Sequence, residues 1–421
     1  MVYPAIFVTI YLIGFHQEVV RIPAEAQAEH AEILRYRTLR LNVGDANGWT
    51  LLEQAARQQP IHSKAAGKAF QAAQKGESFD RTDLQELAKQ AGHARLLLQE
   101  ALEKPYWQSP WESNATPGKK DPREIAPHVW FAQQLGAQML LAPPGNAETT
   151  RVADVKLLLE LADISIKAGL SLEDCLFGGS ILGLANRFIA QRAVEEGLGA
   201  SEAKALAETM DHSRATMADC HEGFRHEFAQ FPDPGMKQIM DKTLHSNPVI
   251  WLLKPHFLDI QLTRQIWDQR AAGIIQSCQQ TFAQSRDAFA FLKDYPAAMD
   301  EPSLLQYNAV GKILLRGLRS YEQVTGRMML RFTEREVVSA ALALRRWQMD
   351  HGGELPATLQ ALVPDYLPHL PVDLMDGKPL RYERQDRLLY SIGTDLAETA
   401  PATPEQKGLV SKDGKLFMRL P

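Results

Sequence analysis

The sequence is short of the patterns that announce a chemistry. Only three of its 421 residues are cysteine, Cys175, Cys220 and Cys278, widely separated and without a CxxC pair. That excludes a zinc ribbon or a disulfide framework. Each stands among apolar neighbours and reads as a small buried hydrophobe. No GxSxG elbow, SxxK or GxxxxGKS/T phosphate loop occurs, so the familiar nucleophile and nucleotide signatures are missing. The glycine-rich GGSILG at 178–183 lacks GxGxxG spacing and a preceding strand, and helix packing accounts for it better than phosphate binding. Surplus positive charge is missing too: Lys and Arg number 46 against 51 Asp and Glu, a net charge of −5. Nucleic acid and anionic membrane surfaces call for clustered Lys and Arg, so no nucleic-acid partner is expected.

What is present is an ordinary globular share of apolar residues, 45%, which allows a sizeable core over two or three domains. The chain starts with VYPAIFVTIYLIGF, residues 2–15, an uncharged apolar run. As a helix it would span about 21 Å against about 30 Å of bilayer hydrocarbon. No basic stretch precedes it, so it does not read as a secretory signal. Two readings remain from the residues: the distal part of a membrane anchor, or a buried core segment.

From residue 24 to 318 the pattern is helical, and strand-type alternation is scarce. Residues 83–103 carry apolar positions at i, i+3/i+4 spacing behind a candidate N-cap at Asp80 or Thr82. Residues 152–170 end in Lys167 and Gly169, a charge and a breaker suited to a helix C-terminus. Residues 171–199 open with Ser171-x-x-Asp174, a capping-box pattern, and the Gly178-Gly179 pair predicts a close helix contact or a break. Between them, 104–124 reads as a loop pinned by Trp107 and Trp111. The apolar, aromatic 247–262, bounded by Pro248 and Pro255, reads as a buried helix turn, with a partner groove as the alternative.

One stretch offers a candidate metal site. DHSRATMADCHEGFRHEF, 211–228, is not HExxH, because His221 and His226 are five apart, roughly 140° around a helix. On a single helix His212, Asp219, Glu222 and His226 fall within about 80° of arc, a stripe that a ferritin-like metal site would need on several helices, and no second helix supplies a matching ExxH. Met210, Met217, Cys220, Phe224 and Phe228 cluster on the opposite side, so the same four residues also read as a solvated polar face.

The C-terminal segment is patterned differently. Residues 334–353 form an amphipathic helix with Val337, Ala341, Leu344 and Trp347 on one side and Gly352-Gly353 as its stop. ELPATLQALVPDYLPHLPVD follows as a string of turns around a short helix, with Leu359, Leu362 and Val363 inward and Pro364 ending it. Leu380 and Tyr382, then Leu388, Tyr390 and Ile392, alternate as strands about a turn at Gln385-Asp386. A last pair turns at Asp413-Gly414. The expected fold class is therefore mainly α with a small C-terminal α+β domain, a helix packed on a short antiparallel sheet. Trp347, Leu359, Leu362, Tyr382 and Tyr390 are its expected core.

This order of elements resembles the C-terminal head of type II secretion pseudopilins, in which ALRRWQMDHGGELPATLQALVPDYL, PVDLMDGKPLRY and LYSIGTD have similar counterparts. No prepilin-peptidase site precedes it, and a long helical region stands where that family has its transmembrane helix. Acidic residues in the family's final loop bind calcium. The resemblance implies that role for Asp395 and Glu398, while Asp373 and Asp376 also read as turn formers. Over a longer reach, the apolar N-terminus, NGWTLLEQAA and YNAVGKILLR are similar to large membrane-anchored proteins of planctomycete-type bacteria. That resemblance favours the anchor and implies no reaction.

The expected organisation is a membrane anchor at 1–23, a helical domain at 24–330 and a pseudopilin-like domain at 331–421. The expected function is a non-catalytic structural or interaction subunit, membrane-anchored on the periplasmic or envelope side, with other envelope proteins as partners and no cofactor. The alternative is a metal-dependent hydrolase using His212, Asp219, Glu222 and His226.

Overall fold

The computed structural model describes residues 46–74, 77–107, 123, 126–142, 148–168, 171–195, 197–230, 259–286, 308, 311, 315, 319–398, 408–412 and 415–421. The apolar run at 2–15, Trp111 and most of 247–262 lie outside them. No described helix is long and apolar enough to cross a membrane. The chain is mainly helical, with one four-stranded antiparallel sheet near its C-terminus, as the periodicities predict. Its described residues fall in two compact units, one within 41–223, 281–283 and 326–421, the other within 224–280 and 284–325.

The larger unit begins with four short helices, α1 (Gly48–Arg57), α2 (Lys64–Gln74), α3 (Arg81–Ala88) and α4 (Ala91–Leu102), around α5 (Pro127–Leu141). Asp80 is the cap of α3, its carboxylate accepting from Thr82 N–H at 2.7 Å. The single helix expected over 83–103 is split at Lys89-Gln90. Then come α6 (Glu148–Lys167), α7 (Leu172–Val194) and α8 (Ala200–His212). The capping box at Ser171 and Asp174 is formed.

The Gly178-Gly179 pair makes close contacts without a break. A Cβ on Gly178 would lie 2.6 Å from Ile166 Cγ1 on α6, and one on Gly179 2.8 Å from Met328 Sδ. Met328 belongs to α11 (Arg319–Asp350), a 32-residue helix. One turn further along α7, a Cβ on Gly183 would meet the Arg331 guanidinium at 3.0 Å. Glycines on two sides of α7 thus admit α6 on one and α11 on the other. Glu334, 1% exposed, secures the second contact by accepting from Arg331 at 2.8 Å beside Arg187 on α7.

A buried ion triad ties α6, α7 and α8. Glu202 receives Arg151 Nε at 3.1 Å and Arg192 Nη2 at 2.7 Å, with all three side chains at most 7% exposed. Burial works against the Glu202 carboxylate, but the two guanidiniums outweigh it and hold its pKa below the usual value.

The boundary expected near residue 330 falls inside α11. Gly352 and Gly353 stop that helix at φ +64° and +91°, a conformation suited to glycine. A 3-10 turn at Leu359–Leu362 and the sheet follow. β1 (Arg381–Glu383), β2 (Leu388–Tyr390), β3 (Gly408–Lys412) and β4 (Lys415–Arg419) are ordered β1-β2-β4-β3. Leu388, Tyr390 and Phe417 form a small core with Val410 against it. Leu359, Leu362 and Tyr390 are buried as expected, but Trp347 and Tyr382 are only half-buried. The inward side of this part of α11 is taken by Leu344 and Gln348. Trp347 instead stacks on His351, ring centroids 3.9 Å apart.

In the smaller unit, the part of α9 (His221–Gln230) from Phe224 onward and α10 (Ile260–Ser277) bring Phe228 edge-on to Trp267 at 5.6 Å and against Tyr321 at 4.7 Å. Asn308, buried with φ 54°, accepts at Oδ1 from Asp259 N–H at 3.0 Å and donates its amide to Thr263 at 3.0 Å.

Two predictions follow from this packing. Replacing Glu202 with Ala removes the one carboxylate that joins Arg151 to Arg192, leaves Arg192 with Glu195, and should cost about 3 kcal/mol in denaturant unfolding; a loss under about 1 kcal/mol would contradict the triad's role. His128 on α5 is wholly buried, edge-on to Trp107 and Phe177, with neither ring nitrogen hydrogen-bonded. Burial lowers its pKa to about 3. A lowered histidine leaves the fold at full stability above pH 6.5 and weakens it as pH falls from there towards 3, by up to about 1.4 kcal/mol per unit. His128→Phe should flatten the stability profile between pH 4 and 6.5, and an unchanged profile would refute the assignment.

Candidate functional site

The four candidate metal ligands do not share one helix. His212 ends α8, Asp219 lies in a 3-10 turn at Met217–Cys220, and Glu222 and His226 are on α9. Asp163 on α6 causes the break. Its carboxylate accepts from Ser213 Oγ at 2.9 Å, Arg214 N–H at 2.6 Å and Ala215 N–H at 3.1 Å, holding 213–215 out of the helix. Asp219 is occupied as a cap, accepting from Thr216 N–H at 2.7 Å and Oγ1 at 2.9 Å. His212 Nδ1 lies 2.6 Å from Glu208 O, where the ring N–H donates to the carbonyl. Burial lowers the His226 pKa. Among the described residues no group of three or more His, Cys, Asp or Glu is placed to hold a metal ion. The shared-arc expectation fails because it required an unbroken helix from 211 to 228.

The acidic residues of the C-terminal loop do gather, around a cation that the chain itself supplies. The Arg381 guanidinium lies 3.2 Å from Asp373, 2.5 Å from Asp376 and 3.6 Å from Glu398. Lys378 reaches Glu398 at 3.2 Å, and Lys415 reaches Asp395 at 3.3 Å. Asp373 is fully buried and also accepts from Met375 N–H, Ser391 Oγ and Ile392 N–H at 2.9–3.0 Å. Burial nonetheless raises its pKa. Arg381 therefore occupies the position at which these carboxylates would face a bound cation.

The larger unit also contains a cleft of about 470 Å³ that the sequence does not reveal. Its walls are the end of α8 with the loop after it, one face of α11, and the proline-rich segment at 367–371. Met210, Asp211 and Arg214 come from the first, Arg335, Glu336 and Ser339 from the second, and Leu367, Pro368 and His369 from the third. The first two walls are joined by Arg335, whose Nη1 donates to Ala215 O at 2.7 Å. The third is fixed by Leu367 N–H on Leu362 O at 3.1 Å and Leu380 N–H on Pro371 O at 3.0 Å.

Glu336, 20% exposed, has Arg335 at 4.0 Å and His369 at 3.9 Å, and it accepts the Val372 N–H. Burial raises its pKa, Arg335 and His369 oppose the rise, and the charge of Asp211 adds to it. Asp211, at the rim, is also raised by partial burial, against Arg346, His212, His369 and Arg214. Two carboxylates and two guanidiniums in one cleft can bind and orient polar groups. Nothing in residue spacing pairs position 211 with 336 or 369.

No protein-family model, curated protein or solved structure matches the chain.

Two outcomes are expected here. Arg381→Ala leaves the buried Asp373 without its counter-ion and should cost about 3 kcal/mol or more; a change within about 0.5 kcal/mol would show that the cluster is solvated. A carboxyl raised in the fold contributes stability below its unfolded pKa, and that contribution is lost as pH rises through the folded pKa. Glu336→Gln, which keeps an acceptor for Val372 N–H, should therefore stabilise the protein at pH 7 and have little effect at pH 4. Equal effects at both pH values would contradict the assignment.

Proposed function

We propose that this chain is a non-catalytic interaction subunit of an envelope-associated assembly, with its apolar N-terminal segment as membrane anchor and its C-terminal α+β part as a pseudopilin-like head. The observation that carries this reading is that five carboxylates, the candidate ligand Asp219 among them, are committed to the fold. Asp163 and Asp219 hold a loop, Glu202 joins three helices, and Asp373 and Asp376 enclose Arg381. A general acid or base needs free hydrogen-bonding capacity at the reacting atom, and these groups have given theirs to the fold. Contacts with other proteins have a ready route in the sheet. β1 and β3 are each hydrogen-bonded to a single strand among the described residues, and an edge strand can accept a partner strand. The metal-dependent hydrolase has no observation in its favour.

The test is mild detergent extraction of the tagged full-length chain from the cells that make it, followed by sizing and mass spectrometry of the companions. An assembly of fixed composition that needs detergent for solubility is the expected result. A detergent-independent monomer carrying stoichiometric metal would overturn both the anchor and the non-catalytic reading.

A further inference from the structure

We propose that the cleft between the end of α8, α11 and the 367–371 segment binds a small zwitterion, a molecule bearing an ammonium and a carboxylate together, such as a free amino acid or a short unblocked peptide. The lining presents both signs in equal number, Asp211 and Glu336 against Arg214 and Arg335. A ligand of one sign would satisfy one pair and be repelled by the other. A ligand of both signs matches the whole set. His369, 69% exposed, stands beside Glu336 at 3.9 Å.

These groups have capacity to spare. A carboxylate offers about four acceptor positions. At Glu336 the Val372 N–H takes one, and Arg335 and His369 stand no closer than 3.9 Å. Arg214 contributes its backbone N–H to Asp163, while its guanidinium has no ion-pair or hydrogen-bond partner among the described residues. The carboxylates sit where burial disfavours their charge, and an incoming ammonium would relieve that cost. The Met210, Leu367 and Pro368 side chains provide an apolar surface for the remainder of the ligand, and Ser339 a hydroxyl. A volume of about 470 Å³ lies within the range of small-ligand sites. The walls are also fixed before any ligand arrives, by Asp163 on one side and by Leu362 O on the other. A preorganised cleft loses little entropy on binding.

The site is independent of the assembly reading, because binding at this cleft needs neither membrane nor partner. Titration calorimetry and thermal shift on the full-length chain test it, using each of the common L-amino acids, di-alanine and tri-alanine. For every binder, the N-acetyl and C-terminal amide forms remove one charge at a time. The expected result is saturable binding of at least one unblocked probe, weakened about tenfold or more by either block. Glu336→Gln and Arg214→Gln should each weaken it by a similar factor while retaining the parent circular dichroism. Tighter binding of the peptides would identify a peptide ligand, and tighter binding of a free amino acid would identify that source instead. No binding at millimolar concentration, or equal binding of blocked and unblocked probes, would overturn the proposal.

Discussion

The contact on which the larger unit depends is the approach of α11 to α7 at Gly179 and Gly183. With no side chain there, Met328 and Arg331 lie directly on the α7 backbone. Gly178, on another side of the same helix, admits α6. A helix interior loses roughly 0.5–1 kcal/mol for each glycine relative to alanine, and the packing of two long neighbours offsets that loss. Charge completes the seam, since Glu334 is buried between Arg331 on its own helix and Arg187 on α7. Because α11 continues into the turns and sheet of the C-terminus, this seam makes helices and sheet parts of one compact unit.

The cleft is a consequence of the same arrangement. Once α11 lies along α7, its Arg335–Ser339 stretch faces the loop that Asp163 pulls out of the α8 helix, and Arg335 closes the gap by bonding Ala215 O. The proline-rich turns after Gly353 supply the third wall. That string of turns is ordered by Tyr366 N–H and Leu367 N–H on Leu362 O and by Leu359, Leu362 and Leu367, which face inward. In the sheet beyond it, Arg381 supplies a fixed positive charge to three carboxylates, so the loop is closed by residues the chain carries.

Features governed by near neighbours in sequence could be read in advance. The caps at Asp80 and Ser171, the glycine stop after α11 and the strands about Gln385-Asp386 all depend on residues within a few positions of one another. Features governed by distant partners could not. The break after His212 depends on Asp163, some fifty residues earlier, so a helical-wheel argument carried across it placed four side chains on one arc that does not exist. Trp347 fits the apolar stripe of its helix, yet the inward direction there belongs to Gln348, and the indole stacks on His351 instead. The cleft needs three segments far apart in the chain, and no spacing rule joins them.

The most direct test of the glycine seam is native-state hydrogen exchange with peptide-level mass spectrometry on the full-length chain, with and without Gly179→Val. If the seam makes helices and sheet one cooperative unit, the slowest amides of α6 and α7 and those of β2 and β4 open with the same free energy, and the substitution lowers both by the same amount. If β2 and β4 retain their protection while α6 and α7 lose theirs, the sheet stands without the seam and the account is wrong.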